Sequence, residues 1–270
     1  MSIFQFEITD NEFKAFRTFI YDEAGINLSD EKKTLVTSRL SKRLRHYSLQ
    51  SFQQYHDLMM AGNHSGEQQV AIDLLTTNET YFFREPKHFN FLEKQLLPKW
   101  PANKTLKVWS AASSSGEEAY SLAMLFDDML GSNPWDIFAS DINSQVLKTA
   151  QNGLYLQNRI DGIPKEFLRK YCLKGVDEHE GYLLINKSLR QKLIFSQVNL
   201  KRPLGNVGNF DIIFLRNVLI YFDMETKRKI IRQLVEKLQP KGYLFIGHSE
   251  SLKDIHDGLK IVSPAIYQKL

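Results

Sequence analysis

A chain of 270 residues carries one large domain or two ordinary ones, since a domain takes roughly 100 to 200 residues. With 43% hydrophobic, 12% aromatic and 24% charged residues it has the apolar mass for a real core, which excludes disorder as the main state. The formal net charge of +4 is too small for a surface that binds nucleic acid as a whole, so any basic patch is local. A single cysteine, Cys172, excludes an internal disulfide and a two-cysteine metal pair. The opening MSIFQFEITD lacks a basic stretch followed by an apolar one, and no apolar run approaches the ~18 residues of a membrane span. The expectation is a cytoplasmic protein.

The first 75 residues read as helices only. After Ser29, a candidate N-cap, the run DEKKTLVTSRLSKRLRHYSL places Val36, Leu40, Leu44 and Tyr47 at helical spacing without Gly or Pro. Steps of three, four and seven residues gather Lys32, Arg39, Lys42, Arg43 and His46 on another side of that helix. Between positions 32 and 46 there are six Lys or Arg and no Asp or Glu. Such a stripe is either a solvated face or a dock for an acidic partner. SFQQYHDLMMAG is a further helix stopped by Gly62, followed by a polar loop, NHSGEQQ.

From Leu106 the pattern alternates short β-rich runs with helical ones: 106–112, 136–142, 193–200, 210–217 and 242–247 as strands, with a helix from Met224 to Leu238 stopped by Pro240 and Gly242. Strands apolar on both faces and separated by helices predict a mostly parallel, doubly wound sheet. GYLLIN and KLIFSQVNL lie close together with no evident helix between them, which predicts a small antiparallel excursion at about 176–200.

In such sheets ligands bind at the carboxyl ends of the strands, where strand order reverses. Four runs end there in polar groups: SSSGEE with Glu117 and Glu118, then Asp141, then Asn199, then Arg216 and Asn217. Neither G-x-G-x-x-G nor G-x-x-x-x-G-K-[ST] is present, and two carboxylates open the first helix, where they repel phosphate. Either Glu is also an ordinary first-turn acid. Asp141 is placed to accept from both hydroxyls of a ribose. A ribose, a cation and no phosphate describe S-adenosylmethionine (SAM) better than NAD or ATP.

TTNETYFFRE (76–85), VWSAASSSGEEAYSLAM (108–124), FASDIN (138–143), FLRNVLIYFD (214–223) and GYLFIGHSESL (242–252), in this order, resemble the CheR family of chemotaxis receptor methyltransferases. The resemblance covers nearly the whole chain. It implies an α/β fold: a Rossmann-like SAM-dependent methyltransferase domain with a small antiparallel β-subdomain, preceded by an all-α N-terminal domain. The boundaries it suggests are a helical domain at 1–75, a linker and cofactor-contacting segment at 76–90, and the methyltransferase domain at 91–270. The implied cofactor contacts are Asn78, Thr80, Arg84, Glu118, Asp141, Asn199, Leu200, Arg216 and Asn217, with Arg84 and Tyr221 at the chemistry. Arg39, Lys42, Arg43 and His46 would face the receptor. Ser113 and Ser115 stand where Cys or Ala and Thr are common, Ala119 where Pro is usual, and Leu215 where Cys is usual.

The implied reaction moves a methyl group from SAM to glutamate γ-carboxylates on the cytoplasmic helical bundle of a chemoreceptor, leaving S-adenosylhomocysteine (SAH). A glutamate with a pKa of about 4.3 is already ionised, so no general base is needed. No metal, no nucleic acid and no membrane insertion are expected, and the chain is expected to be a monomer. A receptor C-terminal tail would bind the β-subdomain. His248 reads as structural, and Cys172, in the helical stretch PKEFLRKYCL, as a small buried hydrophobe. The rival readings are a SAM methyltransferase acting on a nucleic acid or small molecule, and a non-catalytic adaptor. Against the first, Arg216-Asn217-Val218-Leu219 occupies the place of the Asn/Asp-Pro-Pro-Tyr/Phe turn of base methylation.

Overall fold

A computed structural model describes residues 6–253, 255 and 258–270; the leader reading of the first five residues lies outside them. The chain divides into two compact units, one holding the residues up to Thr77 together with Tyr221–Thr226, the other holding Asn78–Ile220 and Lys227–Leu270.

The first unit is helical. α1 (Asp10–Ala24) starts at Thr9, whose hydroxyl accepts from the Glu12 N–H while the Glu12 carboxylate accepts from the Thr9 N–H, a capping box that satisfies two end donors. It ends at Gly25 in the left-handed region, φ 76°. α2 (Lys33–His46), α3 (Phe52–Met60) and α4 (Glu67–Leu75) follow. Ser29 precedes a short 3-10 turn (Asp30–Lys32) and makes no side-chain cap; α2 itself starts at Lys33. Val36, Leu40 and Leu44 are wholly buried, as their helical spacing predicts, and Phe16 stacks on Tyr55 with ring centroids 6.0 Å apart.

The second unit opens with α5 (Pro86–Phe91), so the stretch expected as linker ends in helix. Then come β1 (Leu106–Ser110), α6 (Glu117–Leu130), β2 (Trp135–Asp141), α7 (Ser144–Asn152), β3 (Leu154–Leu156), α8 (Lys165–Tyr171), β4 (Cys172–Lys174), β5 (Tyr182–Ile185), α9 (Lys187–Arg190), β6 (Leu193–Gln197), β7 (Phe210–Leu215), α10 (Met224–Lys237), β8 (Leu238–Ile246), β9 (Leu259–Ser263) and β10 (Ile266–Lys269). The main sheet has the order β6-β2-β1-β7-β8-β10-β9. β6, β2, β1, β7 and β8 pair in parallel, and β10 and β9 close the sheet antiparallel. Every residue of β7 is buried, as a strand covered on both faces requires. Phe214 and Phe245 stack across β7 and β8 at 4.5 Å.

Three expectations need correction. The antiparallel excursion is a sheet of order β3-β5-β4, built from residues 154–185, not 176–200. KLIFSQVNL is not part of it, because β6 joins the main sheet parallel to β2 and α9 separates it from β5. β8 begins at Leu238 and runs through Pro240 and Gly242, with its register to β7 shifting between Phe210 and Ile212. Cys172 opens β4 instead of lying in a helix and is half-buried. No helix of the described residues is long and apolar enough to cross a membrane.

Candidate active site

The chain runs from β1 outward to β2 and β6, then returns to β7 and β8 on the other side of β1. The order therefore reverses beside β1, and the strand ends there form the ligand crevice of an open α/β sheet. The polar loops predicted from sequence converge on this edge.

At its centre is Asp141, the last residue of β2. Its Oδ2 accepts from the Ser114 N–H at 2.9 Å and its Oδ1 from the Asn143 N–H at 2.9 Å, which fixes the carboxylate. A carboxylate fixed in this way at a strand end is suited to accept from ribose hydroxyls. The loop after β1 reaches Asp141 because Gly116, φ 94°, lies flat on α7: a Cβ there would come 2.8 Å from that of Ala150. The Ser113 hydroxyl is buried in this loop and has no partner among the described residues.

Next to it, Glu118 joins two strand ends. Its Oε1 accepts from the Ser110 hydroxyl at 2.7 Å and its Oε2 from Arg216 Nη1 at 2.9 Å. The Arg216 side chain is only 2% exposed. Its Nε and Nη2 also reach Glu85 Oε2, at 3.3 and 3.2 Å, and Nη2 donates to the Arg84 carbonyl. Glu85 Oε1 accepts from Asn217 Nδ2 at 3.1 Å and from the His248 N–H at 3.2 Å. Burial works to raise the Glu85 pKa, but the Arg216 charge and the bonds from Asn217 and His248 outweigh it and hold the carboxyl below its ordinary range. Glu85 was not singled out by sequence. It serves Arg216 and ties together the segments before α5, after β7 and after β8.

Arg84 instead donates to the Glu79 carbonyl at 2.9 Å, and its guanidinium lies 5.5 Å from the Tyr81 ring centroid. Among the described residues it pairs with no carboxylate. The Asn78 carbonyl accepts from the Ser114 hydroxyl at 2.9 Å. Asn199 follows β6 on the same edge, where the Val198 N–H donates to the Asp141 carbonyl at 3.0 Å, and the Leu200 carbonyl accepts from Gln233. Tyr221 belongs to the helical unit, and its carbonyl accepts from the Asn27 N–H at 2.8 Å.

Glu250 is a second residue that sequence reasoning passed over. Its carboxylate accepts the N–H groups of Gly247, Asn217 and Ile220 at 2.6, 3.0 and 3.3 Å, fixing the turn that presents Asn217. Burial pushes its pKa up against those bonds. The signal was an acid three residues beyond a strand-terminal Gly, in a motif where only His248 was weighed. Four non-glycine residues on these loops occupy the left-handed region: Phe83, Glu85, Ser114 and Asn217, with φ of 55°, 58°, 48° and 57°. Such conformations persist only where the surroundings over-determine them.

Glu85, His88 and His248 place ligand atoms within 4.8 Å of one another, and both ring nitrogens of the fully buried His88 lack a partner among the described residues. Glu85 Oε2, which lies 3.5 Å from His88 Nδ1, already takes two donors of Arg216, so a divalent cation would sit against a buried guanidinium. The donor set therefore fits a histidine beside an ion pair better than a metal centre.

In α2, the bidentate Arg43–Glu67 pair and the Arg39 bonds to the carbonyls of Leu75 and Thr76 turn two of the expected receptor-facing cations into the helical unit. Lys42 and His46 are exposed.

The all-α domain of the CheR methyltransferases matches residues 11–76 and their SAM-binding domain matches residues 78–267. The chain belongs to the CheR methyltransferase family. It is 39% identical over 263 residues to a chemotaxis protein methyltransferase of Escherichia coli K12, covering 96% of this chain and 91% of that one. It is 37% identical over 266 residues to chemotaxis protein methyltransferase 2 of Pseudomonas aeruginosa, covering 97% and 94%. A chemotaxis protein methyltransferase of Borreliella burgdorferi is 35% identical over 275 residues, with 97% and 95% covered. The α/β unit is thus a Rossmann-like, SAM-binding methyltransferase domain with a small antiparallel sheet, as the CheR resemblance implied. The acidic rim with its anchored Asp141, and no phosphate-binding loop, fits that ligand.

Proposed function

We propose that the chain methylates glutamate γ-carboxylates of chemoreceptors, using SAM as the methyl donor and forming glutamyl methyl esters. Asn78, Thr80, Arg84, Glu118, Asp141, Asn199, Leu200, Arg216 and Asn217 hold the donor in this reading, and Arg84 and Tyr221 stand at the transfer. Bound SAM supplies a methyl group on a cationic sulfur, open to displacement by an anion.

The observation that carries the reading is the state of the two arginines. Arg216 is paired with Glu85 and Glu118, while Arg84 has no carboxylate partner among the described residues and keeps its planar fork for an anion. A glutamate carboxylate is ionised at neutral pH, so positioning at about 3 to 3.5 Å from the methyl carbon is what the site must supply. An anion meeting a sulfonium gives neutral products, and shelter from water favours that loss of charge. Phe82, fully buried, meets the Tyr155 ring edge-on and adds to that shelter.

The same reading makes the exposed side of α2, at Lys42 and His46, the dock for a glutamate-rich helical bundle, and the small sheet the seat of a receptor tail. It has a monomer acting in the cytoplasm, with the helical domain ending and the catalytic domain beginning between residues 75 and 91. Tritiated methyl transfer to receptor-bearing membranes tests it. Label released by base as methanol marks an ester, whereas label that stays on the protein marks N-methylation and refutes the proposal. Calorimetry with SAH on the wild-type chain and on Asp141→Ala tests the donor site, where the variant should bind at least tenfold more weakly, the order of one lost charge-assisted contact.

A further inference from the structure

The segment that carries Asn78, Thr80 and Arg84 belongs to neither sheet nor helix. Side chains from elsewhere hold its backbone. Ser114 donates to the Asn78 carbonyl, Ser121 accepts from the Phe83 N–H, and Arg216 donates to the Arg84 carbonyl. The fourth tether comes from Arg159, in the 3-10 turn after β3. Its Nη2 donates to the Thr80 carbonyl at 3.3 Å and to Glu117 Oε1 at 2.7 Å.

Glu117 is 0% exposed at the start of α6, and its other oxygen accepts from the Ser115 hydroxyl at 2.6 Å. A buried carboxylate needs a partner, and Arg159 is the cation that reaches it. The residues around Arg159 press on the same parts. The Tyr155 hydroxyl donates to the Ser115 carbonyl at 2.7 Å, and the Tyr155 ring meets Phe82 edge-on at 5.0 Å. Gly162 lies so close that a Cβ there would come 2.1 Å from the Phe82 carbonyl oxygen.

We infer that Arg159 is a positioning residue for donor binding: by holding the Thr80 carbonyl and Glu117 with one guanidinium nitrogen, it clamps the Asn78–Glu85 segment to the first turn of α6. The inference deepens the proposed function and rests on its reading of Asn78, Thr80 and Arg84 as donor contacts. Without the clamp the segment must be ordered when the ligand arrives, and that cost appears as lost affinity. Lysine, a point donor without the planar fork, recovers the contact only in part.

The test is calorimetry with SAH on Arg159→Ala and Arg159→Lys, with circular dichroism to show that both are folded at the working temperature. Arg159→Ala should raise the Kd about tenfold and Arg159→Lys less. The KM for SAM should rise with the Kd, while kcat at saturating SAM falls by a smaller factor. To avoid stranding a buried charge, Arg159→Ala is also made on Glu117→Gln, where the same weakening relative to Glu117→Gln alone is expected. An unchanged Kd in both backgrounds, with Asp141→Ala clearly weakened, overturns the clamp and leaves the proposed site standing. A wild-type chain that binds no SAH, or an Asp141→Ala variant that binds as wild type, overturns the reading of the site and the clamp with it.

Discussion

Arg43 and Glu67 face each other between α2 and α4 through two N–H···O bonds of 2.8 Å, Nε to Oε1 and Nη2 to Oε2. The hydroxyls of Tyr55 and Tyr47 also donate to the Glu67 carboxylate, at 2.7 and 3.0 Å. A cation counted from sequence as part of a docking stripe is thus an internal fastening of the helical unit. Removing one partner of such a buried pair costs about 3 to 5 kcal/mol. Glu67→Ala and Arg43→Glu are both expected to lower the denaturant midpoint of the helical unit sharply. Lys42→Glu with His46→Glu should leave that midpoint unchanged and raise the apparent KM for receptor, in a salt-dependent manner.

Arg84→Ala should leave the fold intact, because among the described residues the side chain reaches only the Glu79 carbonyl and the Tyr81 ring. Methylation is expected to fall about a hundredfold or more, the order of cost for a lost charged positioning group. Matching thermal melts together with single-turnover methyl transfer check both halves. Near-normal turnover would remove Arg84 from the chemistry.

His88 is buried, and burial, then the Arg216 charge, pushes its pKa down to about 3. A lowered folded pKa means that the unfolded chain binds the proton more readily. The stabilisation is therefore full above the unfolded value of about 6.5 and is lost progressively as pH falls from there toward 3. One such group contributes a slope of about 1.4 kcal/mol per pH unit. Urea unfolding of wild type and His88→Leu between pH 7 and 5 should differ by that slope, the variant being flatter. Parallel curves would show that His88 does not titrate in this way.

Gly247→Ala probes the turn that Glu250 fixes. The added Cβ would come 2.6 Å from Asn217 Nδ2, 2.9 Å from the Asn217 amide nitrogen and 2.9 Å from Glu250 Oε2. Overpacking of this kind costs about 1 to 3 kcal/mol. Since the strain falls on Asn217, SAH affinity should drop more than global stability, measured by calorimetry beside thermal melts. Equal binding by the alanine variant would mean that the turn yields without moving the amide.

Much of this molecule was legible because apolar runs and their polar endings are local. β1, β2 and β7 lie where the β-rich runs predicted them, and Glu118, Asp141, Arg216 and Asn217 gather at one edge because strand ends must. What escaped depends on partners far along the chain. Glu85 serves Arg216 131 residues away, and Arg159 reaches Thr80 across 79. Nothing in FFRE alone says that the glutamate turns away from its neighbouring arginine. KLIFSQVNL was placed in two arrangements because periodicity does not tell a parallel edge strand from one in a small antiparallel sheet.

The left-handed torsions of Phe83, Glu85, Ser114 and Asn217 bear on how this enzyme can be recombined with its relatives. They lie on three separate stretches, Phe83 and Glu85 sharing the one before α5, yet Glu85 is bonded to Arg216 and Asn217, and Ser114 to Asp141 and Asn78. A chimera that exchanges one loop imports side chains without the neighbours that hold their torsions. Swapping the segment before α5, the loop after β1 and the turn after β7 as one cassette keeps the set together, so breeding of new specificities should succeed by blocks and fail by single loops.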